Sequence, residues 1–405
     1  MDRFLDAAHA IARRLCAEAL WSGARCNWLG DAMEYVDRDW RVVHRACGTT
    51  LYDGTSGIAL FLSRVAAETG DDIVRATARG ALEQCTSRMH DVPAPGRLGV
   101  YSGWPGIATA LVESGRSLGE VRWIEAGQGL LDALRPDSDD GEGLDVISGP
   151  AGAIPALLAT GSAAARDLAI TLGSRLAARA QASGDALAWV TLPGMPALTG
   201  YSHGASGIAV ALHALYEATG DPSWAEMSSR AIAWERRQYI AAEENWPDLR
   251  SATPGAPPSC ACAWCHGAPG IALARLRLLG HDPRLQAELA AAMRTTRRGI
   301  TSALALPRYD CSYCHGLAGL AEVFVEAGGE DHLAVAREVA DAMIDRIARP
   351  GAAWPCGVPN GGETPALLTG TSGIGWFFLR AWSPATVPTI LVPGALGAAR
   401  EAATR

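Results

Sequence analysis

Two stretches of this chain place a thiol and an imidazole immediately ahead of a Gly-x-x-Gly turn: Trp264-Cys265-His266-Gly267-Ala268-Pro269-Gly270 and Tyr313-Cys314-His315-Gly316-Leu317-Ala318-Gly319. Thiolate and imidazole are the ligands zinc prefers, and it takes three or four of them at about 2.0 to 2.3 Å. Two thiolates and one imidazole would leave a position open, the layout of a catalytic zinc and not of a closed structural one. The half-sites lie far apart in sequence, so the fold must bring them together. A competing grouping pairs Cys262 with Cys265 and Cys311 with Cys314, because two C-x-x-C motifs also suit a closed four-cysteine site. In each pair, however, the first Cys is an addition to the shared pattern, so Cys260, Cys262 and Cys311 read as extra thiols near the metal.

The turn that follows these residues is the unit of the whole chain. Gly-x-x-Gly begins at Gly54, Gly103, Gly149, Gly204, Gly267, Gly316 and Gly370, at spacings of 49, 46, 55, 63, 49 and 54 residues. A motif that returns at such a period marks a repeat architecture. Each copy leads into an apolar run, such as Ile58 to Leu62, Ile208 to Leu212 or Ile374 to Leu379, and helices apolar on nearly all faces belong in an interior. Between the runs lie amphipathic stretches, among them Phe4 to Leu20, Asp72 to Met89, Ala163 to Ala180, Asp221 to Tyr239, Pro283 to Leu304 and Leu333 to Ile347. Their apolar residues recur at steps of three and four and predict outer helices. One inner and one outer helix, seven times over and without a polar capping repeat at either end, predicts an all-α fold. The expected form is an α/α toroid, a double-layered barrel of seven outer and seven inner helices, with residues 1–405 as a single domain. The first glycine of each turn should permit a positive φ or a tight backbone approach, and the second should let the helix start pack closely. Inner-helix N-termini converging at one end would favour anions there.

The residues just ahead of the first glycines are Asp53, Ser102, Ser148, His203, His266, His315 and Thr369. Three His at one point of the repeat, in a chain with 9 His, single out that rim as the place for chemistry.

Composition excludes several classes of function. The chain has no Lys and a net charge of −8, which argues against a nucleic-acid surface. Residues are 49% hydrophobic but only 6% aromatic, as close packing of Ala- and Leu-rich helices requires. No stretch approaches the roughly 20 uninterrupted apolar residues of a membrane span, and the start Met1-Asp2-Arg3-Phe4 does not resemble a signal peptide. A cytoplasmic location is therefore expected, with the 10 cysteines free or bound to metal and not in disulfides. Leu249 to Ala263 and Trp354 to Pro365 read as loops, the first long enough to lie over the rim, and Ser383 to Arg405 as a short extension.

At these residues the chain resembles the lanthionine synthetase C-like family, the cyclases of lanthipeptide biosynthesis. The resemblance spans essentially the whole chain. It rests on Trp264 to Gly270, Cys314-His315-Gly316, Tyr201-Ser202-His203-Gly204-Ala205-Ser206-Gly207 and Asp145-Val146-Ile147-Ser148-Gly149. Leu51 to Gly57 and Asn245-Trp246-Pro247-Asp248-Leu249-Arg250 look like the cyclase half of the bifunctional class II synthetases. The resemblance implies a toroid with seven inner helices, zinc held by Cys265, Cys314 and His315, and His203 with Asp145 as the catalytic pair. Two features depart from the stand-alone class I cyclases: Ala261 stands where those often carry Arg, and the repeat spacings leave no room for their small inserted domain. The dehydratase half of class II enzymes has no counterpart here, so a separate dehydratase is the expected partner.

The implied reaction is addition of a Cys thiol of a dehydrated precursor peptide to dehydroalanine or dehydrobutyrine, closing a thioether ring. His203 would then protonate Cα, with Asp145 orienting it or balancing its charge. Plainer roles stay open: His203 as a core histidine bonded to Ser, Asp145 as the cap of the helix near Gly149, and His266 either as an acid or as a lining residue. Rival functions are a zinc-dependent thiol transferase of the glutathione type and a non-catalytic scaffold that holds the peptide for a dehydratase. A toroidal glycosidase is weaker, since it wants two carboxylates about 5 to 9.5 Å apart where this rim offers thiols and imidazoles.

Overall fold

The computed structural model describes residues 2–36, 39–135, 143–251, 259–280, 284–347 and 352–398. Each Gly-x-x-Gly turn opens a helix at the residue after its first glycine: Thr55–Thr69, Trp104–Leu118, Pro150–Leu158, Ala205–Thr219, Ala268–Leu278, Leu317–Ala327 and Thr371–Trp382. These are the all-round apolar helices. Ala205 to His213, for instance, is buried without a break. They alternate with Arg3–Glu18, Asp72–Arg88, Val121–Asp132, Ala163–Ala178, Pro222–Arg236, Leu285–Ala305 and Glu330–Ile347. Members of this second set bury one face, as Arg3–Glu18 does through Phe4, Leu5, Ala8, Ile11, Ala12 and Leu15. Val121–Asp132 is absent from the stretches singled out by periodicity. Its buried stripe is only Trp123, Gly127 and Leu130, too thin to stand out.

The two sets start differently. In the amphipathic set, side chains cap the first turn: Asp2, Asp71, Ser162 and Asp221 each accept a backbone N–H. In the apolar set the cap residue is glycine, which has no side chain to offer. There the first helical N–H donates instead to a carbonyl seven residues upstream. This bond runs from Thr55 to Gly48, Trp104 to Arg97, Ala205 to Leu198, Leu317 to Asp310 and Thr371 to Thr364, at 2.9 to 3.0 Å.

Of the two reasons expected for the first glycine, close approach is the general one. Gly54, Gly149, Gly204, Gly316 and Gly370 are extended, with φ between −103° and −139°. Gly267 alone among these cap glycines has a positive φ, at 90°. The second glycine is fixed by the same crowding: a Cβ on Gly207 would fall on the Tyr201 carbonyl.

Contacts divide the chain into two compact units, each drawn from three segments. The first comprises Met1–Pro93, Gly106–Leu130 and Ser302–Thr389. In it Thr55–Thr69 packs on Asp72–Arg88, and Arg3–Glu18 on Thr371–Trp382. Arg380, almost fully buried, reaches Glu322 at 2.8 Å and Glu326 at 2.5 Å and so ties Thr371–Trp382 to Leu317–Ala327. Two antiparallel hairpins also belong to this unit, Leu20–Ser22 with Arg25–Asn27 and Leu29–Val36 with Asp39–Ala46. Helical periodicity does not foretell them.

The second unit comprises Ala94–Pro105, Leu131–Thr301 and Ile390–Arg405. Pro150–Leu158 packs on Ala163–Ala178 and on Ala205–Thr219, which in turn packs on Pro222–Arg236 and Ala268–Leu278. A third hairpin, Gln181–Ser183 with Ala186–Ala188, turns at Gly184 with φ 63°. Part of the expected loop from Leu249 to Ala263, residues 252–258, lies outside the described residues, as do residues 399–405 of the expected extension. Trp354 to Pro365 is a loop without helix or strand. Among the described residues no helix is long and apolar enough to cross a membrane.

Candidate active site and metal ligands

His203 sits one residue ahead of the glycine that opens Ala205–Thr219, in a turn pinned from both sides by one buried carboxylate. Glu235 accepts from Gly200 N–H at 2.8 Å and from Ser206 Oγ at 2.6 Å, and Arg275 neutralises it at 2.8 Å. Glu235 and Arg275 are both fully buried, and the carboxylate is satisfied on both oxygens while Arg275 Nη2 is left without a partner. Backbone bonds extend the frame: Val146 N–H donates to Ser202 at 2.9 Å, and Ser202 donates through N–H and Oγ to the Cys265 carbonyl. Asp145, His203 and Cys265 are thereby set side by side along adjacent turns.

His203 Nδ1 meets Asp145 Oδ2 at 2.5 Å. The other carboxylate oxygen accepts from Ser148 N–H at 2.7 Å and from Ser148 Oγ at 3.0 Å. Asp145 therefore does not cap the helix Pro150–Leu158, whose cap glycine makes no side-chain bond. It closes the turn before that helix and holds the imidazole. Its side chain has no exposure, whereas that of His203 is 20% exposed. The imidazole is bonded to Asp and not to Ser, through Nδ1.

His266 stacks on His203 with ring centroids 5.5 Å apart. It is 2% exposed and its Nε2 is buried without a hydrogen-bond partner. Burial, against the opposing influence of the neighbouring Cys265, pushes its pKa down to about 4. Close by, Arg250 grips Asp248 through two bonds of 3.0 and 2.7 Å. Burial would raise the Asp248 carboxyl, but the Arg250 guanidinium holds it below the ordinary value. Neither residue was singled out by type. Their only signal in the sequence was membership of the Asn245 to Arg250 segment.

Cys265 is 8% exposed and Cys314 3%. The Cys314 turn is built like that of His203: Cys314 N–H donates to Leu368 at 2.9 Å, and Asp310 Oδ1 accepts from Ser312 N–H at 2.6 Å. His315 follows with its side chain 41% exposed and Nδ1 3.9 Å from Asp310. Cys262 points its sulfur at the Thr295 carbonyl, 3.9 Å away, and burial pushes its pKa up to about 11. Burial likewise raises Cys311 well above the usual thiol range. None of the ten cysteines, all among the described residues, is in a disulfide.

Helices that begin at Gly-x-x-Gly turns and carry His and Cys at their mouths define an all-α protein with a thiol-and-imidazole site. The chain belongs to the lanthionine synthetase C-like family, whose profile, described as Lanthionine synthetase C-like protein, matches residues 46–392. Among solved structures it is similar to nisin cyclase, with a TM-score of 0.65 at 18% identity over 86% of this chain and 92% of that one. That likeness shows the fold, the expected α/α toroid class. A family 76 α-mannanase of Bacteroides thetaiotaomicron has a TM-score of 0.49 at 9% identity, covering 94% of this chain and 95% of its own. No curated protein sequence matches.

Proposed function

We propose that this chain is a zinc-dependent lanthipeptide cyclase, adding Cys thiols of a dehydrated precursor peptide to dehydroalanine or dehydrobutyrine. The observation that carries the reading is a donor set in a chain of this family. Cys265, Cys314 and His315, in the residues just ahead of two Gly-x-x-Gly turns, are those donors. Two thiols and an imidazole fit zinc, and three protein ligands leave a position for substrate. The similarity in fold to a protein named as a cyclase agrees with it.

Zinc bound there would hold a peptide thiol as thiolate at neutral pH, where a free thiol of pKa near 8.5 is only about 3% ionised. The chain's own residues serve the other half of the reaction. As sulfur bonds to the β-carbon of the dehydro residue, the alkene electron pair moves onto the adjacent carbonyl, and Cα must then take a proton. His203, anchored through Nδ1 on Asp145, is placed to give that proton from Nε2. The buried Asp145 carboxylate balances the imidazolium before transfer and fixes which nitrogen faces the substrate. The thiol proton lost equals the Cα proton gained, so ring closure leaves mass unchanged. A separate dehydratase would supply the substrate.

Mass spectrometry of a dehydrated precursor after thiol alkylation tests this. Loss of alkylatable thiols without a change of mass is expected when the protein is added. Unchanged alkylation would refute cyclisation, and turnover of glutathione without leader-peptide dependence would favour the thiol transferase.

A further inference from the structure

The turn that carries Cys265 breaks the hydrogen-bond rule of the other repeats. In five of them the first helical N–H reaches a carbonyl seven residues upstream, and in a sixth that residue is Pro150, which has no N–H to give. The rule would send Ala268 N–H to the Ala261 carbonyl. Asn245 stands between them instead. Its Oδ1 accepts from Ala268 N–H at 2.9 Å, and its Nδ2 donates to the Ala261 carbonyl at 2.9 Å. One side-chain amide thus replaces one direct backbone bond.

The consequences are local to the thiol. Gly267 moves to φ 90°, where the other five cap glycines measured are extended. Gly267 pairs with Cys262 in an isolated bridge, and Ala263 N–H closes onto the His266 carbonyl at 3.0 Å, so residues 262–267 fold back on themselves around Cys265. Asn245 itself is immobilised: it is 4% exposed, its Oδ1 also accepts Trp246 N–H at 2.8 Å, and its backbone bridges to Ile240. The segment that delivers it lies within the longest repeat spacing, 63 residues.

We infer that Asn245 is a positioning residue for the metal thiolate, setting where Cys265 points by splicing its amide between Ala261 and Ala268. The inference rests on the zinc reading for its purpose but not for its geometry. Groups that orient metal ligands typically cost 10- to 100-fold in metal affinity when removed.

The test uses the full chain with Asn245→Ala, and Asn245→Asp as the variant that keeps the acceptor and the shape. Asn27→Ala is the control. Asn27 makes the same kind of bridge in another loop, donating to the Cys47 carbonyl at 3.0 Å and accepting from Trp28 N–H at 2.8 Å. Two readouts apply: zinc affinity with the absorption spectrum of the cobalt-substituted protein, and the alkylation rate of Cys265 in metal-free protein, located by peptide mapping. Asn245→Ala should weaken zinc roughly 10- to 100-fold, alter the cobalt spectrum and speed Cys265 alkylation, while Asn27→Ala leaves all three unchanged. Asn245→Asp, losing only the bond to Ala261, should move each in the same direction by less, and it decides the matter if the alanine variant does not fold. Wild-type affinity, spectrum and alkylation in a folded Asn245 variant would overturn the inference. A wild-type chain that binds no zinc would instead defeat the metal reading, and the alkylation rates would still decide the role of Asn245.

Discussion

Asp145 and His203, 58 positions apart in the chain, share a 2.5 Å hydrogen bond in which the carboxylate has no solvent exposure and the imidazole is one-fifth exposed. The other carboxylate oxygen is held by Ser148 N–H and Oγ, at 2.7 and 3.0 Å, so the imidazole is anchored through Nδ1 on a carboxylate that is itself fixed.

If His203 delivers the proton to Cα, His203→Asn should slow ring closure roughly 10²- to 10⁴-fold, the usual share of a positioned acid. Asp145→Asn should slow it by less, because the imidazole stays while its orientation and charge balance are lost. Zinc content should match wild type in both, measured by elemental analysis alongside single-turnover alkylation assays. Wild-type rates in His203→Asn would transfer the role, with His266 the next candidate.

The donor set predicts one zinc per chain. Protein prepared without chelator should carry it, and Cys314→Ala should release it while far-ultraviolet circular dichroism reports an unchanged helix content, since packed helices with cores such as Ala205 to His213 do not need an ion to form. Substantially less than one zinc per folded wild-type chain would refute the metal.

Ring closure and dehydration should separate cleanly. Phosphoryl chemistry on Ser or Thr wants a nucleotide cradle with Lys or Mg²⁺-binding acids, and this chain has no Lys. Its Gly-x-x-Gly turns are already spent on starting seven helices. Unmodified precursor with ATP should come back unchanged, whereas pre-dehydrated precursor is cyclised. An 18 Da loss per residue, about one water, with the purified protein alone would contradict this.

Stability should depend on acid through Asp71. It caps Asp72–Arg88, accepting from Ile73 and Val74, and meets His9 at 2.8 Å. Burial opposes its charge, but the His9 bond and the two backbone N–H groups outweigh it and bring its pKa to about 2. A folded pKa below the unfolded value of about 3.9 means stabilisation that is complete above about pH 5 and lost as pH falls toward 2. Asp71→Ala should cost about 1 kcal/mol near neutrality, and its gap from wild type in urea unfolding should narrow below about pH 4. A gap constant from pH 7 to 3 would be inconsistent with this account.

What could be read from the sequence was what local sterics enforce. A glycine whose Cβ would strike a carbonyl six residues earlier, as at Gly207 and Tyr201, leaves its mark within one turn. All seven helix starts were accordingly legible, and so were six of the seven one-sided helices, whose buried faces repeat every three or four residues. The hairpins of residues 20–46 and Gln181–Ala188 were not, because their strands are short or largely exposed and carry no helical period.

At the site, residue types named the chemistry but not the contacts. Cys265, His203 and Asp145 could be picked out by type and motif. That Asp145 holds His203 and does not cap Pro150–Leu158, that His266 is sealed against it, and that Asn245 rather than a backbone carbonyl receives Ala268 N–H were decided by the tertiary structure alone. Each depends on which distant turn packs alongside, and a hydrogen bond is made only when partners separated by tens of residues arrive within about 3 Å in the right direction.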